Sequence, residues 1–166
     1  MTEKFPKSLT GKPEMQRTLA ILLTAALLAM ATVNANAEEK LKALIIDGQN
    51  NHGAWPKTTA MMKKYLEESG RFTVDVERTR YTWKGGALLK EFSLDDGEPY
   101  EDLPQPKPDP EFKPKFDNYD VVINNFGWNA AAWPDVTNQA FDNFVREGGG
   151  LVIVHAADNS FGDWPA

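Results

Sequence analysis

Three runs of continuous apolar sequence, each breaking off into amides, acids or a histidine, constrain this chain more than any other feature. They are Leu41-Lys42-Ala43-Leu44-Ile45-Ile46-Asp47, Tyr119-Asp120-Val121-Val122-Ile123-Asn124 and Leu151-Val152-Ile153-Val154. An alternating strand buries one face, whereas a strand apolar throughout is buried on both, as in the interior of a parallel sheet. Phe72-Thr73-Val74-Asp75-Val76 alternates instead, and reads as a strand at a sheet edge. Between the first two strands, Pro56 suits a first helical turn, and a stripe of Met62 and Leu66, flanked by Met61 and Tyr65, stops at Gly70. Trp133-Pro134-Asp135 opens a second helix, with Val136, Ala140, Phe141, Phe144 and Val145 expected on one face and Gly148 as its stop. The order β-α-β, insertion, β-α-β predicts an α/β fold on a parallel sheet with right-handed crossovers.

The insertion, at about 80–117, holds six of the 11 prolines: Pro99, Pro104, Pro106, Pro108, Pro110 and Pro114. Such spacing favours extended, polyproline-like chain over helix or ladder, so a surface excursion is expected. Asp95-Asp96-Gly97-Glu98 within it lacks the spaced ligands of a calcium loop and reads as a solvated turn. Gly148-Gly149-Gly150 precedes a strand, whereas phosphate loops follow one and open a helix, so it is not a phosphate cradle.

Composition narrows the function. With 166 residues, 42% of them hydrophobic, one modest domain with a packed core is feasible. A net charge of −6 argues against nucleic acid or an anionic membrane as partner. The absence of cysteine removes disulfides, thiol nucleophiles, cysteine-ligated metals and a lipoprotein anchor. At the front, Leu19–Ala31 is apolar except for Thr24, follows Lys12 and Arg17, and leads to Ala35-Asn36-Ala37, a small-x-small cleavage pattern. The run falls short of the roughly 20 apolar residues that a span requires, so residues 1–37 are expected to be a signal peptide cleaved after Ala37, with no stable membrane insertion afterwards. Met15-Gln16-Arg17 offers a second, compact start for it. Cleavage takes Lys4, Lys7, Lys12 and Arg17 from the 18 bases and Glu3 and Glu14 from the 24 acids, leaving 14, 22 and a net charge of −8. An acidic periplasmic or secreted protein is expected, with residues 38–166 as its domain.

Ligands of open parallel sheets bind beyond the carboxyl ends of the strands. Three such ends are polar here: Asp47-Gly48-Gln49-Asn50-Asn51-His52-Gly53, Asn124-Asn125-Phe126-Gly127-Trp128-Asn129 and His155-Ala156-Ala157-Asp158-Asn159-Ser160-Phe161. Both histidines of the chain lie in them. Imidazole titrates near neutrality, so His52 and His155 are candidate acid–base residues, with Asp47 and Asp158 placed to orient them. Asp47 could equally hold a backbone turn. Amides donate and accept at once, so Gln49, Asn50, Asn51, Asn124, Asn125 and Asn159 suit sugar hydroxyls, while Trp128 offers a flat face to a pyranose. Asn, Asp and Gly are also ordinary turn residues, and any single one can serve the turn alone. Two histidines with the Asp47 or Asp158 carboxylate could ligate a divalent metal, although no His-x-x-x-His spacing exists.

These segments, with Trp133-Pro134 and Phe161-Gly162-Asp163-Trp164-Pro165, resemble the ThuA-like family, named for trehalose utilisation, and His155-Ala156-Ala157-Asp158-Asn159 is the most specific of them. The resemblance implies a flavodoxin-like three-layer fold akin to class I glutamine amidotransferases, and a role in sugar catabolism, often outside the cytoplasm. Its implied partner is a small-molecule carbohydrate. Amidotransferase relatives carry a nucleophilic cysteine at the turn that here reads His155-Ala156-Ala157-Asp158, so glutaminase chemistry by that route is excluded. The family domain continues beyond the fourth strand, so the domain is expected to be incomplete at Ala166, with an open sheet edge. Both a carbohydrate-processing enzyme and a non-catalytic sugar-binding or interaction module fit these residues, as does an inactive fragment. A flavin-binding flavodoxin fits less well, because the first loop lacks a hydroxyl-rich phosphate nest.

Overall fold

The computed structural model describes residues 39–162 and 164. Residues 1–37, the segment expected to be a signal peptide, lie outside them. Five strands form one parallel sheet in the order β3-β2-β1-β4-β5, with β1 at Leu41–Gln49, β2 at Phe72–Trp83, β3 at Glu101–Leu103, β4 at Val121–Asn124 and β5 at Gly150–Ile153. Helix α1 (Trp55–Glu68) links β1 to β2, a single turn α2 (Leu88–Glu91) follows β2, and α3 (Asp135–Arg146) links β4 to β5. Short 3-10 turns cover Phe116–Asn118 and His155–Asn159.

The strand at the centre of this order is the most continuously apolar one, for the reason its sequence suggested. Ala43, Leu44, Ile45 and Ile46 are all 0% exposed, and alternate residues enter two different cores. Ala43 and Ile45 join Val74 and Ile123 on the face that packs Met62 and Leu66 of α1. Leu44 and Ile46 join Val122, Phe126, Trp133 and Phe144 on the other face. A sheet between two packed layers is the expected flavodoxin-like three-layer arrangement.

Three local expectations meet differences. The segment Phe72–Val76 continues to Trp83, so β2 is interior at its carboxyl end, where Tyr81–Trp83 pair with β3, and unpaired on that side only before it. The register explains the extra length. Asp47 pairs with Arg78 but Gln49 pairs with Trp83, so Thr79–Thr82 stand opposite Gly48 alone. Gly48 sits at φ +130, and a Cβ there would lie 2.0 Å from Thr79 Oγ1, so only glycine fits.

The proline-rich segment is likewise more than an excursion. Asp109, Phe112 and Phe116 are buried, and both phenylalanines belong to the Leu44 core. Residues 112, 114 and 116 are buried while 111, 113, 115 and 117 are exposed, the period-two pattern of an extended chain lying on a core. Asp109 Oδ2 accepts from Arg80 N at 2.7 Å and Asp102 Oδ1 from Thr82 Oγ1 at 3.0 Å, tying the segment to β2. Asp95–Pro99 is exposed, in keeping with a solvated turn.

On α3 the inward stripe is Thr137, Phe141 and Phe144, with Phe141 half-buried, whereas Val136 and Val145 are 56% and 38% exposed and Ala140 is exposed too. Spacings of four and three put the first three on one line, and Thr137 Oγ1 donates to Phe112 O at 2.5 Å, which makes a threonine acceptable there. At the other side of the described sheet, Leu151, Val152 and Ile153 of β5 are 38%, 47% and 43% exposed. Among the described residues no helix is long and apolar enough to cross a membrane.

Candidate functional site

The carboxyl ends of β1, β4 and β5 converge as parallel pairing requires, and they bring the two histidines together. The rings of His52 and His155 lie 4.7 Å apart between centroids, tilted by 43°. They are 103 positions apart in the chain (52 to 155), so only the sheet makes them neighbours. Both are exposed. His155 follows β5 after one residue, Val154, and adopts φ +47, a left-handed conformation uncommon for any residue but glycine, although histidine is among the side chains found there most often. Such strain persists only where the surroundings enforce it. Here Val154 N donates to Asn124 O at 3.0 Å before the turn, and Ala156 and Ala157 are buried after it. Among the described residues, neither imidazole hydrogen-bonds a carboxylate.

The His52 loop is held from beneath by a buried network. Arg78 donates to Asp47 through Nε to Oδ1 at 2.8 Å and through NH2 to Oδ2 at 2.9 Å, with both side chains almost wholly buried. Thr59 Oγ1 donates to Asp47 Oδ2 at 2.6 Å and accepts from Asn125 Nδ2 at 2.9 Å. The guanidinium also lies 4.8 Å from the Trp55 ring centre and 5.3 Å from that of Tyr100. Burial would pull the Arg78 pKa down, but the Asp47 charge and its hydrogen bonds outweigh this and raise it. Tyr100 is raised as well, by burial first and then by its hydrogen bond to Asp96 at 2.5 Å.

Asp47 is therefore spent on Arg78 and Thr59 and hydrogen-bonds neither histidine. Most of the candidate amides are spent on backbone in the same way. Gln49 Nε2 donates to Tyr81 O at 2.9 Å and Lys107 O at 2.6 Å, and its Oε1 accepts from Ala131 N at 2.9 Å. Asn50 Nδ2 donates to Asn125 O and Phe126 O, while its Oδ1 accepts from His52 N at 2.8 Å. Asn124 Oδ1 accepts from Phe126 N at 2.9 Å, and Asn125 Nδ2 also reaches Trp55 O at 3.2 Å. These four residues shape the loops that carry the histidines. Asp158, Asn159 and Trp128 are exposed, the last by 57%. Asn51 is half-buried, and its Oδ1 has no hydrogen-bond partner among the described residues. Gly127 packs against that oxygen, because a Cβ there would stand 2.6 Å from Asn51 Oδ1 and 2.5 Å from Asn50 Oδ1.

Sequence reading missed Arg78, Thr59 and Lys84. Arg78 was in reach: Asp47 lies six residues after Leu41 and Arg78 six after Phe72, and in-register parallel pairing aligns them. Lys84 takes φ +59 and extends its Nζ to Asn51 O at 3.3 Å, setting a cation beside the loop. No cluster of three or more His, Asp or Glu placed to hold a metal occurs among the described residues, and Asp47 is committed to Arg78. A cavity of about 690 Å³ lies at the opposite end of the sheet beside Tyr119, Asp120, Gly148 and Gly149, away from the histidines.

What the site offers is two solvent-facing imidazoles, each able to donate or accept a proton, above a rigid charged floor. Its setting is similar to that of a solved protein. A crystal structure of a protein from Parabacteroides merdae, described as ThuA-like, matches at 33% sequence identity and a TM-score of 0.56 over 76% of this chain. The match covers 36% of that protein's chain, so this chain spans little more than a third of the relative's length. No family model matches the chain, and no curated protein matches it.

Proposed function

We propose that this chain, which belongs to the ThuA-like family, serves the utilisation of trehalose or a related disaccharide, with the sugar held at the carboxyl ends of the parallel strands. The observation that carries the reading is the contact between His52 and His155, at 4.7 Å, across the strand ends where such sheets take ligands. Of two imidazoles beside a bound sugar, the neutral one can take a proton from the attacking water or hydroxyl while the protonated one gives a proton to the leaving oxygen. Asn51, Asn159 and Trp128 have the side chains left over from loop building, and they are assigned to the sugar. Asp158, exposed on the turn that His155 opens, is assigned to orient it. The apolar run Leu19–Ala31 and the Ala35-Asn36-Ala37 pattern support export, so the substrate is a carbohydrate met outside the cytoplasm.

A non-catalytic sugar-binding module is favoured by a different observation, the lack of any carboxylate hydrogen bond to either imidazole among the described residues. Turnover and binding of trehalose by His52→Ala and His155→Ala variants separate the two. Turnover abolished with affinity kept supports the enzyme, and undiminished turnover in both variants sinks it. Binding without turnover in the unaltered protein leaves the module.

A further inference from the structure

Among the described residues, four of the five non-glycine positions with positive φ stand in loops at the carboxyl ends of the strands. They are Lys84 after β2, Asn129 after β4, and His155 and Phe161 after β5. Left-handed backbone is uncommon outside glycine, and lysine lacks even the tolerance shown by asparagine and histidine. Such strain gathers at ligand sites.

Lys84 brackets the His52 loop. Its Nζ donates at 3.3 Å to Asn51 O, the oxygen of the peptide bond leading into His52. Its own carbonyl oxygen packs on Gly53, where an added Cβ would stand 3.0 Å from it. The ammonium lies 4.6 Å from the centre of the Trp83 ring, yet the residue as a whole is exposed. An ammonium has three N–H donors, and Asn51 O takes one. Among the described residues Lys84 joins no ion pair.

The carboxylates that could balance this charge are mostly occupied. Asp47 is bound to Arg78 and Thr59. Asp102 accepts from Gly85 N at 3.1 Å, Gly86 N at 2.8 Å and Thr82 Oγ1 at 3.0 Å. The first turn of α1, which begins three residues after His52, holds no acid. Asp158 is left, exposed on the turn that His155 opens. The two imidazoles add positive charge whenever they are protonated. A chain of net charge −6 thus sets an unpaired cation beside its histidine pair, and such a cation favours a group that only accepts.

We infer that the sugar taken at the strand ends carries an anionic group, a carboxylate or a phosphate, and that the Lys84 ammonium reads it beside His52. The inference rests on the carbohydrate reading above and narrows its substrate class to acidic sugars.

The test is titration calorimetry of the full chain with trehalose, its 6-carboxylate and its 6-phosphate, at low and high salt. At least one acid is expected to bind about ten-fold tighter than trehalose, and the tighter of the two identifies the anion. The advantage is expected to shrink as salt rises. Lys84→Gln keeps a donor for Asn51 O but removes the charge, so it is expected to abolish the advantage while leaving trehalose affinity unchanged; Lys84→Arg is expected to retain most of it. Equal affinities for the three sugars overturn the inference, as does an acid preference that survives in Lys84→Gln. An equal loss for all three in Lys84→Gln makes Lys84 a loop tie alone and overturns it too, while the carbohydrate reading stands. No binding of any of the three by the unaltered chain overturns both.

Discussion

Replacing Arg78 by methionine isolates the contribution of the ion pair beneath the histidine loop. Methionine keeps much of the aliphatic stem between Trp55 and Tyr100 but leaves Asp47, 0% exposed, with Thr59 as its remaining side-chain donor. Removing one partner of a buried pair costs about 3–5 kcal/mol, most of it the penalty of an uncompensated charge. Against a typical stability of about 5–15 kcal/mol this is a large fraction. At about 3–5 °C per kcal/mol for a domain of this size, Tm falls by roughly 10–25 °C. The double variant Asp47→Leu, Arg78→Met removes both charges and is expected to recover most of that loss, since apolar replacements of whole buried pairs are often neutral. Urea unfolding followed by tryptophan fluorescence measures each corner of the cycle, with unchanged slopes certifying that stability alone has moved. Asp47→Leu alone strands the buried Arg78 at a similar cost, so two losses of about 3–5 kcal/mol against a near-neutral double variant give an expected coupling of about 5 kcal/mol or more. A single Arg78→Met loss below about 1 kcal/mol, or a coupling near zero, would refute the view that this pair holds the floor of the site.

Two further outcomes follow from the same physics. Tyr119 is pushed up to about 12 by burial and then by its hydrogen bond to Asp75 at 3.0 Å, so the folded state favours the protonated phenol. The stability this supplies is intact below the ordinary tyrosine pKa of 10.0 and is lost as pH rises through about 12; Tyr119→Phe is expected to flatten that alkaline limb, read as Tm against pH. At the strained turn, His155→Gly is expected to be more stable than His155→Ala by about 1 kcal/mol, because only glycine meets φ +47 without penalty. Equal melting temperatures for the two variants would show that the turn relaxes and stores no strain.

The strands were legible because burial on both faces demands an unbroken apolar run, and Ala43–Ile46 could serve no other purpose. The site was legible in address but only partly in chemistry. An asparagine after a strand reads the same whether it meets a ligand or its own backbone, and Gln49, Asn50, Asn124 and Asn125 went to the backbone. The histidine pair depends on how the carboxyl ends of β1 and β5 meet around β4, a tertiary fact that no local pattern carries. The Asp47–Arg78 pair was hidden by ending β2 at Val76, before the residue that completes it. Phe112 and Phe116 were hidden by the prolines around them, although their two-residue spacing about Pro114 is itself the signature of an extended chain on a core.

That spacing divides the proline-rich segment into stretches of very different evolutionary freedom. Asp95–Pro99 stands in solvent and can lengthen, shorten or accept a grafted peptide with little penalty. From Asp102 to Phe116 the chain supplies anchors for β2, a carbonyl for Gln49 at Lys107 and two aromatic rings to the core. Homologues trimmed in the first stretch would keep their fold, whereas those trimmed in the second would need larger side chains elsewhere to fill the space of the missing rings.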